Sequence, residues 1–431
     1  MINQYVHQKK QLCTSCGVCA GICTAITMHT DTFGHYYPKV DQTKCIYCGK
    51  CMSVCPMRLG EEEKERLNCE CWKMEDLPYK LETGYYLGTY EGAIPEYRNK
   101  SASGGFCSAL LCELLNKKYV QSVYTACANN DSEKYFISKR LTTCDEVNAS
   151  RGSAYYPIEI SETLRSIQRL KEKTAIVCLP CQATAIRQAM KKNKVLKESI
   201  RFIIGLVCGG MPGKSMVEYI ANDMHCDLQH ITKISFREKN QGIKCNNCQI
   251  KLYNGESEEC VSRYHNGESF GFVYLNHILH NPSCNTCTDI FAEQADAVFG
   301  DAWFDENKMN ELGTSICITR NPILDQLMKE MKIRESTIER MIEAQKSVGL
   351  IEAKKRLSFY YKDYYQKKGY SLEENKNLKL SRKTQIRVAL REWFAEKNRK
   401  SWSLYKAGVI SFSQLKKRWY RMISLKKRMG I

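Results

Sequence analysis

Eight cysteines near the amino terminus stand in two runs of one spacing: Cys13, Cys16, Cys19 and Cys23, then Cys45, Cys48, Cys51 and Cys55, with Pro56 after the last. Thiolates separated by two residues can wrap three irons of one cubane, and the fourth cysteine of each run then reaches the other cube. This spacing assigns Cys13, Cys16, Cys19 and Cys55 to one 4Fe-4S centre and Cys45, Cys48, Cys51 and Cys23 to a second. Structural zinc takes two Cys or Cys/His pairs rather than two runs of four, so one-electron chemistry at iron is the preferred reading.

The elements that must position these thiols follow from the intervening residues. Asp31 to Val40 contains Phe33-Gly34-His35-Tyr36-Tyr37-Pro38, a turn glycine beside β-prone residues, which predicts a hairpin joining two pseudo-repeats. Residues 1–60 thus read as a two-cluster module of the bacterial ferredoxin type, with 61–89 as a linker. From about Tyr90 short apolar runs alternate with amphipathic helices, the pattern of an α/β domain with a largely parallel sheet. Thr174 to Leu179 reads as a buried strand, and Pro180-Cys181-Gln182 opens a helix to Lys192. Ile200 to Val207 reads as a second strand ending at Cys208, before a helix from Lys214 to Met224.

Ligands of open α/β sheets gather at the carboxyl ends of the strands, so Cys181 and Cys208 are expected to converge. Cys284 and Cys287, a C-x2-C after Asn281-Pro282, can complete a third cluster. Spacing equally allows Cys181 and Cys208 to be small core residues and the C-x2-C to be half a zinc site. Ser101-Ala102-Ser103-Gly104-Gly105 precedes a helix and is a candidate seat for a dinucleotide pyrophosphate, or an ordinary cap. The segment from Cys208 to Ser215 ends like a phosphate loop but has Cys208 where the first glycine must stand, and it is not read as one.

Composition narrows the class. The 431 residues are 43% hydrophobic and 26% charged with nine prolines, as in an ordinary globular protein, but 24 are cysteine. Met1 to Leu12 has no apolar stretch of the kind an export signal needs, and the longest apolar run, Phe202 to Cys208, is far too short to span a membrane. Thiols in such a chain are expected to be metal ligands kept reduced in the cytoplasm. Cys245 and Cys248, with Cys260 nearby, read as free thiols or a small zinc site, and Cys69 and Cys71 as free thiols. Cys107, Cys112, Cys127, Cys144, Cys178, Cys226 and Cys317 read as core residues. His35, His265, His277 and His280 show no catalytic pattern.

The net charge of +18 is concentrated in residues 371–431, which hold 17 Lys and Arg against 4 Asp and Glu. There Phe412, Leu415, Trp419, Met422 and Ile423 fall on one helical face. Such a basic amphipathic helix can dock on an acidic partner or pack on the protein, the two readings preferred alike, or lie peripherally on the inner membrane face, which ranks second.

Taken together, Ser101–Gly105, Arg151-Gly152-Ser153-Ala154-Tyr155, Leu179-Pro180-Cys181-Gln182, Gly205-Leu206-Val207-Cys208, Cys284-Asn285-Thr286-Cys287 and Ala295 to Trp303 resemble, in order, the family of beta subunits of coenzyme F-420 hydrogenases and dehydrogenases. The resemblance implies an α+β chain: a ferredoxin-like domain at 1–60, an α/β flavin and iron–sulfur domain at 90–350, and a basic helical tail at 351–431. It implies that Cys181, Cys208, Cys284 and Cys287 hold a third 4Fe-4S cluster beside FAD, with Ser103, Gly104, Gly105, Gly152, Ser153, Tyr155 and Gln182 toward the flavin. Electrons would pass between a redox partner protein such as reduced ferredoxin and a deazaflavin or other small molecule. Ala154 stands where many relatives have lysine, which puts the acceptor in question. The alternatives are an electron-transfer subunit without its own catalysis and, remotely, a nucleic-acid-binding protein; no nucleic-acid module is recognised, and no nucleic-acid partner is expected.

Overall fold

A computed structural model describes residues 12–72, 77–131, 133–239, 242, 244–254, 260–264, 269–308, 310–372 and 380–431, with backbone alone at 130, 246, 260–264, 305 and 308. The two cysteine runs repeat in the backbone as they do in sequence. Ser15 (φ 61°) and Gly17 (φ 78°) flank Cys16 as Tyr47 (φ 55°) and Gly49 (φ 74°) flank Cys48. Each left-handed pair reverses the chain around its thiol and leads into a one-turn helix, Val18–Gly21 and Lys50–Ser53. The hairpin lies where its turn residues predict. Strand β1 (Ile26–Thr30) pairs antiparallel with β2 (Tyr36–Val40), and Asp31 Oδ1 closes the turn by accepting the amides of Phe33 and His35 at 2.9 and 2.8 Å.

Residues 61–89, expected as a linker, include the helix Glu61–Cys71 and a minimal hairpin of β3 (Tyr79–Lys80) and β4 (Gly84–Tyr85). Trp72 Nε1 donates to the Glu293 carbonyl at 2.8 Å and Asn68 Nδ2 to the Glu293 carboxylate at 2.8 Å, so this stretch is docked on the body.

The body is built on seven strands. In chain order these are β5 (Gly88–Gly92), β6 (Ser122–Asp131), β7 (Lys134–Leu141), β8 (Thr174–Cys178) and β9 (Ile200–Leu206), before a separate antiparallel sheet of β10 (Ile231–Glu238), β11 (Gln249–Asn254) and β12 (Cys260–Tyr264); β13 (Ala297–Asp301) and β14 (Ser315–Thr319) then complete the large sheet, ordered β5-β14-β13-β9-β8-β6-β7. Only the central β13, β9, β8 and β6 run parallel, and both margins are antiparallel. The sheet expected to be largely parallel is parallel through its centre and antiparallel at both margins. Connection length explains part of this: β6 and β7 are joined by a tight turn, which permits only antiparallel pairing, whereas β8 and β9 are joined through the helices Pro180–Lys192 and Lys194–Ser199.

The ferredoxin-like module shares the core of this body. Cys16, Val18 and Val54 pack with Ile160, Leu164, Ile176, Ile203 and Phe291. Ile160 N donates to the Cys16 carbonyl at 3.0 Å, and Arg165 Nη2 donates to the carbonyls of Ala20 and Ile26 at 3.0 and 3.1 Å.

The basic tail forms the helices Arg382–Lys406 and Phe412–Arg428. Its apolar face is covered by the protein itself: Trp402, Leu415, Trp419 and Ile423 join the core around Tyr219 and Phe270. Lys406 pairs with Glu218 at 2.8 Å, Lys416 pairs with Asp223, and Trp402 Nε1 reaches the Thr32 carbonyl in the ferredoxin-like turn at 3.1 Å. Burying Leu415 and Ile423 contributes about 1.5–3 kcal/mol each, which membrane insertion would first have to undo. Among the described residues no helix is long and apolar enough to cross a membrane.

Candidate metal centres

The thiols that spacing groups together are neighbours in space. Cys19 lies within electrostatic reach of Cys16, Cys13 and Cys55, while Cys51 faces Cys23, Cys48 and Cys45. Burial, then neighbouring thiols, pushes Cys13 and Cys55 up to about 12, so without a cation these thiols stay protonated; coordinated iron supplies the charge that favours thiolates. Ser15 N donates to Cys13 Sγ at 3.4 Å, a bond suited to an anionic sulfur. Every described cysteine is a free thiol. Among the described residues no three His, Cys, Asp or Glu side chains close on a single metal ion. Thiolates on different corners of a cubane stand farther apart than those on one ion.

The third group is assembled from three places in the chain. Pro180 begins the helix after β8 and sets Cys181 in its first turn. Cys208 follows β9, its amide held by the Ile290 carbonyl at 3.1 Å. Cys284 lies in the short turn Pro282–Thr286 and Cys287 directly after it; Asn281 caps the turn by accepting Ser283 N at 3.0 Å. Cys181 is within reach of Cys16, Cys287, Cys208 and Cys284, and Met211 N donates to Cys284 Sγ at 3.3 Å. Asn281 Nδ2 also donates to the Cys13 carbonyl at 2.8 Å and Ser15 Oγ at 3.1 Å, tying this group to the Cys13 group. The three groups thus form a series, with the one containing Cys45, Cys48 and Cys51 outermost.

The residues expected toward a flavin divide. Gly104 N donates to Ser315 Oγ at 2.9 Å, and a Cβ at Gly104 would stand 2.4 Å from the Gly92 carbonyl oxygen, so this glycine serves close backbone packing. Ser103 Oγ donates to the Thr314 carbonyl at 2.6 Å, and Gln182 spends both ends of its amide on Leu179 N and the Ile158 carbonyl at 2.9 and 2.8 Å. Gly105 (φ 90°) caps the helix Phe106–Asn116. Gly152 (φ 136°) opens onto free space, beside half-buried Ser153. Tyr155 packs edge-on or tilted against Phe236, Phe270 and Tyr274, with ring centres 5.7, 4.9 and 5.0 Å away. Tyr274 in turn feels Cys208 and Cys284, so one half-buried tyrosine lies between the third thiol group and Tyr155.

Sequence reasoning missed the polar residues nearby. Arg237 pairs with Asp301 at 3.0 Å and lies over the Trp303 ring at 5.6 Å. Lys239 Nζ donates to the carbonyls of Arg98, Ser103 and Leu312 at 2.6, 2.9 and 2.6 Å, and burial lowers it to about 8. The only signal was a pair of cations in a β-rich run. Cys245 and Cys248 are buried together, but the side chain of Cys260 lies outside the described residues. Its backbone is opposite Tyr253, four residues along β11 from Gln249, or about 13 Å from the Cys248 end. Cys107 and Cys144, expected in the core, are only half-buried. His265 lies outside the described residues; the rings of exposed His277 and buried His280 lie 4.5 Å apart, tilted by 42°, and burial holds His280 neutral.

Comparison with known proteins bears on this arrangement. The family model of the C terminus of the coenzyme F420 hydrogenase/dehydrogenase beta subunit matches residues 171–345, that of its N-terminal part matches 90–165, and a 4Fe-4S binding domain model matches 38–58. A subunit of the F(420)H(2) dehydrogenase of Methanosarcina mazei is 26% identical over 238 residues, 53% of this chain and 60% of that protein, so the match spans less than two thirds of the relative. A chain of the F420-reducing [NiFe] hydrogenase complex from Methanosarcina barkeri shares the fold with a TM-score of 0.51 at 17% identity, over 69% of this chain and 99% of that one.

Proposed function

The chain belongs to the family of coenzyme F420 hydrogenase/dehydrogenase beta subunits, and from that premise we propose an iron–sulfur flavoprotein oxidoreductase that works with a redox partner protein. Cys13, Cys16, Cys19 and Cys55 hold one 4Fe-4S centre, Cys45, Cys48, Cys51 and Cys23 a second, and Cys181, Cys208, Cys284 and Cys287 a third. The observation that carries this reading is the convergence beside Cys16 of Cys181, Cys208 and the Cys284–Cys287 pair, which come from three separate stretches of the chain. Loaded, such centres exchange single electrons, and FAD exchanges both single electrons and a hydride with a deazaflavin or another small molecule.

The protein's own part is positional. Asn281 fixes the spacing of the first and third thiol groups, while the shared core around Val18 and Val54 keeps the ferredoxin-like module from swinging away. Gly152 and Ser153 offer open backbone for the flavin and Tyr155 an aromatic wall, with Ser103, Gly104, Gly105 and Gln182 shaping the elements behind them. Ala154 puts a methyl where a cation would favour an anionic acceptor, which leaves a deazaflavin phosphate without that contact and keeps other small molecules in play. The units are 1–60, 90–350 and 351–431, with 61–89 as a docked connection. The number of free thiols favours a reducing cytoplasmic setting.

Anaerobic reconstitution with iron, sulfide and FAD tests the reading. It expects about twelve irons, three cubanes of four, and one flavin per chain. About eight irons and no flavin would favour the second reading, a subunit that only relays electrons to a separate catalytic partner.

A further inference from the structure

A buried lysine faces the third thiol group. The helix Ile338–Lys346 ends before Gly349 (φ 75°), and the chain then passes through a π-helical turn, Glu352–Leu357, into the helix Ser358–Lys367. Wide turns of this kind re-aim side chains and recur at functional sites. This one turns Lys354 inward, at 3% exposure, while Glu352 and Arg356 on the same turn face solvent. Lys354 Nζ donates to the Cys284 carbonyl at 2.8 Å.

Neighbouring lysines show what is unusual. Lys355 pairs with Glu293 at 2.7 Å. Lys64 and Lys362, which also feel Cys287, share the carboxylate of Glu61 at 2.9 and 2.5 Å. Among the described residues no carboxylate pairs with Lys354; the thiols whose charge, as thiolates, would reach it are Cys287, Cys284, Cys208 and Cys181. A buried ammonium without a counter-charge is costly, and four thiolates around one cluster are a counter-charge of the right sign and place.

We propose that Lys354 is the counter-ion of the third cluster and holds its midpoint potential above the value the same four thiolates would give alone. This rests on the reading of Cys181, Cys208, Cys284 and Cys287 as one ligand set. Adding an electron makes that cluster more negative, and a fixed ammonium beside it favours the reduced form.

The test uses the full-length chain, anaerobically reconstituted, with iron content and redox titration followed by EPR. The signal missing from Cys287→Ala identifies the third cluster. In Lys354→Met its midpoint potential falls while the other two signals keep theirs. Lys354→Arg, and Lys355→Met next to it, stay close to the unmodified chain. If Lys354→Met loses about four irons and Lys354→Arg keeps them, one cubane needs the charge and the proposal stands. An unmoved potential in Lys354→Met at full iron content overturns it, as does loss of the cluster in both variants, which would make the role steric. About eight irons in the unmodified chain would overturn the three-cluster reading itself.

Discussion

The two halves of the ferredoxin-like module are built alike and placed differently. Each has the same cysteine spacing, the same left-handed residues around its middle thiol and the same one-turn helix. Around Cys16 the module is packed into the core of the body; around Cys48 it faces solvent, with Ile46 82% and Tyr47 57% exposed beside an exposed thiol. Residues 39–58 carry Lys39, Lys44, Lys50 and Arg58 against Asp41 alone. The difference teaches that the repeat supplies two similar carriers and that docking assigns their roles. On the proposed function, the exposed half is the one placed to meet a redox partner, and the buried half lies beside the third group, joined to it through Asn281.

The largest way to break this comparison is at the thiols themselves. Cys16→Ala should remove about four irons and also lower folding stability, because Cys16 is part of the shared core; Cys48→Ala should remove as many irons and leave the melting temperature nearly unchanged. Iron assay and thermal denaturation check both. Chelation should sharpen the same contrast: anaerobic challenge with a strong chelator is expected to strip iron in phases, the Cys48 half first by about an order of magnitude in rate, since local opening and solvent access govern exchange. A single phase would mean the halves are equally protected.

Two glycines test the docking directly. Gly17 and Gly49 hold equivalent positions, but a Cβ at Gly17 would stand 2.4 Å from Glu159 Oε2 and 3.0 Å from Ile160 N, whereas nothing lies within 4 Å at Gly49. Gly49→Ala should cost about 1–2 kcal/mol, from the left-handed backbone alone. Gly17→Ala should cost about 1–3 kcal/mol more through the clash with the body, read by denaturant unfolding. The smallest effect belongs to the surface. Ile46→Asp with Lys50→Glu should slow electron exchange with an acidic one-electron carrier by about tenfold and weaken its dependence on salt, at unchanged iron content.

Much of this was legible in the cysteines. Ligand spacing is a local property, so Cys13 to Cys55 sorted into two neighbouring groups before any fold was known, and strand ends brought Cys181 and Cys208 together through a general rule of α/β sheets. The helix Pro180–Lys192 begins and ends as its proline and periodicity predict. Docking was not legible. Ser103, Gly104 and Gln182 carry motif chemistry in sequence, yet their polar groups are consumed by contacts to Thr314, Ser315 and Ile158 that no local pattern reveals. The tail's apolar stripe was visible, but only the fold places Tyr219 over Trp419 and Phe412, at ring distances of 5.1 and 5.3 Å. Lys354 was hidden for the same reason: in sequence it is one cation in a basic stretch, and the π turn that buries it has no composition of its own.

The central claim is that electrons reach the third thiol group only through the buried half of the module. EPR of the Cys19→Ala chain, mixed anaerobically with a reduced acidic one-electron carrier, tests it most directly. The account predicts reduction of the Cys45–Cys48–Cys51 group with the third group left oxidised on the timescale that reduces both in the unmodified chain. Reduction of the third group at the unmodified rate would contradict it.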